Sequence, residues 1–114
     1  MRVSKNMTPP SVREERRRSQ RIPLGVPLVV VSLDPQLEFY RRLGTVEVSN
    51  HGCLLRANRP FPRGARLRLD ILTSKRSATA SIIRSDPVGS QVKVWNVALE
   101  LDKPGDVWEF QSLP

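Results

Sequence analysis

The stretch "ARLRLDIL", Ala65 to Leu72, puts Ala65, Leu67, Leu69 and Ile71 on one parity and Arg66, Arg68 and Asp70 on the other. Side chains of an extended chain point alternately to two faces, so this pattern predicts a strand with one face in a core and one in water. "RPFPRG" (59–64) precedes it and "TSKR" (73–76) follows, both rich in residues that interrupt regular structure. A strand this short cannot stand alone. Its fold is set by how many similar segments the chain supplies.

Working outward, five more segments share the texture. "VPLVVVSL" (26–33) reads as a strand, followed by "DPQLEFYRR" (34–42), a connection with some helical or turn character. "LGTVEVSN" (43–50) alternates and breaks at "NHG", after which "CLLRAN" (53–58) resumes, and the two read as a hairpin. "SATASIIRS" (77–85) and "QVKVWNVALELD" (91–102) complete the set. In the last, Val92 and Val94 fall on one parity while Val97, Leu99 and Leu101 fall on the other, so a β-bulge at Trp95-Asn96 is expected. The tail "KPGDVWEFQSLP" is too short for a helix alone, and Trp108 and Phe110 are expected to cap one end of the core. Six short strands without a long helix predict an all-β, six-stranded antiparallel barrel, closed because closure removes sheet edges.

The chain has 114 residues, enough for one domain. No apolar run approaches the roughly 18 residues of a membrane span. The start "MRVSKNMTPPSV" has no apolar stretch after its basic residues, so no secretory leader is expected, and a cytoplasmic location fits. Net charge is +8, and residues 1–21 carry seven cations against two carboxylates, a local +5. Residues 1–20 read as a flexible basic arm and 21–114 as the barrel. Fifteen arginines against four lysines favour forked recognition of phosphates and base edges. That asymmetry points to a polyanionic partner.

Catalytic chemistry has little to work with. The single histidine, His51, lies two residues from both Ser49 and Cys53 on the expected turn, where groups rarely converge on one atom. One cysteine and one histidine exclude a zinc site, and no cofactor is expected. The chain reads as a binding module and not an enzyme. Cys53 reads as a small core residue. Arginines spaced i, i+4 are close to chance in so arginine-rich a chain. The position of Arg17 and Arg21, immediately before the first strand, adds weight. In "EVSNHG", Ser49 brings a hydroxyl to a turn and Gly52 can take φ > 0 or admit a ligand to the backbone, although a well-made hairpin would need the same residues.

Taken in order, "RRSQR" (17–21) and "EVSNHG" (47–52) resemble the PilZ domain, a small six-stranded barrel family that binds the bacterial second messenger cyclic di-GMP. The family pattern is Arg-x-x-x-Arg before the first strand, then Asp/Asn-x-Ser-x-x-Gly. "RIPL", "FPRGARLRLDI" and "VKVWNVALELD" resemble it as well, over about residues 13–103. The resemblance implies a cyclic di-GMP site of Arg17, Arg21, Glu47, Ser49 and Gly52, with Arg16 or Arg18 able to hold a second ligand molecule. It implies an arm that orders on binding and a signal relayed to a protein effector. Glu47 stands where the family has Asp or Asn, an extra reach of about 1.5 Å, and Ala98 stands where relatives often have glycine. Two other readings stay open: a PilZ domain that docks proteins without ligand, and a basic barrel that binds RNA or single-stranded DNA.

Overall fold

The computed structural model describes residues 20–90 and 93–109. Seven strands appear: β1 (Ile22–Pro23), β2 (Pro27–Ser32), β3 (Tyr40–Ser49), β4 (Gly52–Ala57), β5 (Arg66–Ile71), β6 (Ser77–Pro87) and β7 (Trp95–Leu101). They hydrogen-bond in the order β1-β3-β2-β5-β6-β7-β4, and β4 returns to pair with β3. All pairings are antiparallel, so β2 to β7 close into a six-stranded barrel and β1 is one strand more. No helix occurs among the described residues.

The alternation in 65–71 places its residues as expected. Ala65, Leu67, Leu69 and Ile71 are buried while Arg66 and Arg68 are exposed. They meet Leu28 and Val30 of β2, Leu55 of β4, Ile82 of β6 and Val97 and Leu99 of β7 in one core. Each leucine, isoleucine or valine among them, removed from water, stabilises the fold by roughly 1.5–3 kcal/mol before entropy is subtracted. Gly64, at the end of the Pro62–Gly64 turn, has φ +86, a conformation glycine adopts without cost. Trp108 is buried in the core as the cap; Phe110 lies outside the described residues.

Two strand limits differ from expectation. β3 begins at Tyr40, inside the stretch expected to be a connection, because Tyr40 to Gly44 pair with β2. β7 begins at Trp95 and pairs with β4 without a shift from Ala57↔Trp95 to Gly52↔Glu100, so the bulge expected at Trp95-Asn96 is not there. Val94 precedes the strand, which removes the parity conflict. The irregularity sits instead in the neighbouring strand, between Ile82 and Arg84 of β6, and a second one lies between Thr45 and Glu47 of β3.

Candidate functional site

The β3–β4 hairpin turns through Asn50 and His51, with Ser49 facing Gly52. Ser49 Oγ accepts hydrogen bonds from the backbone N–H groups of His51 and Gly52, each at 3.2 Å. The hydroxyl therefore holds the turn, and its own proton remains to donate. The end of β7 and the segment after it brace the same turn. Trp108 Nε1 donates to the Ser49 carbonyl at 2.9 Å, Gly105 N to the Asn50 carbonyl and Leu101 N to the His51 carbonyl, both at 2.8 Å. A turn held at three carbonyls presents its side chains in one geometry.

Arg21 reaches this turn by a separate route. The buried Thr45 hydroxyl donates to the Leu24 carbonyl at 2.6 Å and accepts from Val26 N at 2.7 Å. This bond pair fixes the chain between β1 and β2. β1 then pairs with the far half of β3, Ile22 with Val48 and Pro23 with Glu47, so the register sets Arg21 beside Ser49. Arg21 Nη1 donates to Glu47 Oε1 at 3.4 Å, with 67% of the arginine side chain exposed. One loose ion pair leaves most of its five N–H donors to solvent.

Arg21, Glu47, Ser49 and Gly52 line one cleft of about 240 Å³ on the outer barrel wall. Arg16, Arg17 and Arg18 lie outside the described residues. Gly52 does not adopt the positive φ expected as one of its roles. A Cβ there would lie 2.0 Å from the Leu99 carbonyl oxygen, so close β4–β7 approach excludes any side chain. The cleft also holds residues outside the sequence-derived set: Leu54, Ile83, Arg84, Ala98 and Glu100. Of these, Ala98 alone carried a signal, as the position where relatives often have glycine.

The sequence matches the PilZ domain family over residues 15–106, most of its length. The chain belongs to the PilZ domain family. PilZ domains are binding and receptor domains that generally take cyclic di-GMP. No curated protein matches the sequence. The matched span of this PilZ domain begins before the described residues, and so includes Arg16, Arg17 and Arg18.

Elsewhere on the PilZ barrel several charges pair among themselves. Arg66 forks onto Asp102, which also accepts from Thr79. The Arg66 bond, followed by the Thr79 bond, holds the Asp102 carboxyl down to about 2. Burial pushes the Cys53 thiol far above its usual range. No group of three metal-ligating side chains occurs among the described residues. Phe61 and Trp108 are buried, and Phe39 packs edge-on against Phe61 at 4.8 Å between centroids. Tyr40 alone among the described aromatics is exposed, so those residues form no aromatic row for stacking successive bases.

Proposed function

We propose that this PilZ domain is a bacterial, cytoplasmic receptor for cyclic di-GMP that closes its arginine-bearing leader over the ligand and relays the signal by protein contact. The supporting observation is the shared cleft: β1 delivers Arg21 next to Ser49, with Glu47 beside both. Arg21 and Arg17 would fork onto phosphate oxygens and the guanine O6/N7 edge. The Ser49 hydroxyl would donate its free proton to the ligand, and Glu47 would accept from the guanine N1–H and amino group. Arg16 or Arg18 would hold a second stacked ligand. Ligand phosphate would compete with Glu47 for Arg21, and a contact at 3.4 Å between exposed groups is a weak competitor.

That same ion pair supports one other reading, a docking module in which Glu47 satisfies Arg21 and no nucleotide binds. Calorimetric titration with cyclic di-GMP separates them. The receptor reading expects saturable heat, abolished by Arg17→Ala/Arg21→Ala and strengthened by Glu47→Asp. Absence of heat at about 100 µM ligand, well above micromolar affinity, selects the docking module.

A further inference from the structure

The cleft has a second charged wall, and a bulge builds it. On β3 the register slips between Thr45 and Glu47, so Thr45 pairs with Leu55 on the core side while Glu47 pairs with Leu54 on the outer side. On β6 it slips between Ile82 and Arg84: Ile82 pairs with the core residue Leu99, and Arg84 pairs with Ala98. Leu54 and Ala98 pair with each other. One row therefore crosses the outer wall as Glu47, Leu54, Ala98, Arg84. A regular β6 would have set Ile83 opposite Ala98, since successive residues alternate faces and a one-residue slip exchanges them.

We propose that Arg84 is a ligand-contacting residue, the cation that receives the end of cyclic di-GMP away from Arg21. The assignment rests on the receptor reading above. A cyclic dinucleotide carries two guanines and two phosphates, and a site with cations on one side leaves half of those groups without partners. Here the floor between the walls is low, formed by Leu54, Gly52 and Ala98, and both arginines line the same cleft. Glu47 pairs with Arg21, and Glu100 lines the same cleft. Arg84 Nε donates to Asp86 Oδ2 at 2.8 Å, with both side chains about half exposed. That contact steadies the side chain and leaves its other N–H groups free to fork onto an anion.

The test is calorimetric titration of the full chain with cyclic di-GMP, with thermal melts to show that each exposed-site variant is folded. Arg84→Ala is expected to weaken binding about tenfold or more, the usual effect of deleting a charged hydrogen bond. Arg84→Lys, which keeps the charge and loses the fork, should fall between that variant and the native chain. Lys103→Ala, exposed and away from the cleft, should match native. An Arg84→Ala chain that titrates like native, while Arg21→Ala does not, overturns the Arg84 assignment and leaves the receptor reading standing. Equal losses in Arg84→Ala and Lys103→Ala overturn it too, as a plain charge effect. No heat from the native chain overturns both.

Discussion

The β2–β5 wall and the β3–β4–β7–β6 wall use similar residues and differ in regularity. β2 and β5 pair without a slip from Leu28↔Ile71 to Ser32↔Leu67. Outward charges on β5 find partners close by: Arg68 with Asp70 at 3.2 Å, and Arg66 with Asp102. The opposite wall slips twice, and each slip turns a charged side chain, Glu47 or Arg84, onto the cleft face. A regular ladder serves the core, because every second side chain is spent inward. A bulged ladder gives up a pairing and gains a chosen direction for one side chain. The regular wall and the slipped wall share one core, and the charged residues of the cleft lie on the slipped one.

The sharpest way to break this comparison is Gly52→Ala. Its Cβ would overlap the Leu99 carbonyl oxygen at 2.0 Å, with only backbone to move, so β4 and β7 must separate. Loss of the cooperative thermal transition is expected, and a native-like melt would show that the close approach is dispensable. Leu69→Ala probes the regular wall. Leu69 is fully buried, and the truncation should cost about 2–5 kcal/mol in denaturant unfolding. The folded fraction should still bind ligand with native affinity, since Leu69 lies outside the cleft.

The smallest effect belongs to Asp102. Its pKa is depressed in the fold by Arg66 and then Thr79, so the stability it contributes is complete above its ordinary value near 4. That contribution is lost as pH falls toward about 2. Asp102→Asn should flatten the stability profile across this window. An unchanged slope would mean that the exposed pair contributes nothing measurable.

Much of the fold was legible because the core strands are two-faced. In 65–71 the charged and apolar residues separate without exception, and burial follows them. Tyr40 to Arg42 showed no such pattern, since all three are exposed and only hydrogen bonding to β2 makes them a strand. The bulge was expected in β7 and occurs in β6, where adjacent isoleucines, Ile82 and Ile83, give no hint which one leaves the ladder. Within the site, Arg21, Glu47, Ser49 and Gly52 were legible as short motifs because turns are local. Arg84 was not. Its direction depends on a slip in its own strand and on a partner fourteen positions later in the sequence, Ala98. The reason for Gly52 was equally hidden, being a contact with β7 and not a local dihedral.

Cys53, the only thiol in the chain, lies on β4 with partners on both sides, Val48 and Leu99. It is 8% exposed, and burial keeps it protonated, whereas only the thiolate attacks an alkylating reagent. Its labelling rate is therefore a native clock for how often the cleft side of the barrel breathes open. A nucleotide seated over that strand would slow the clock without any engineered probe.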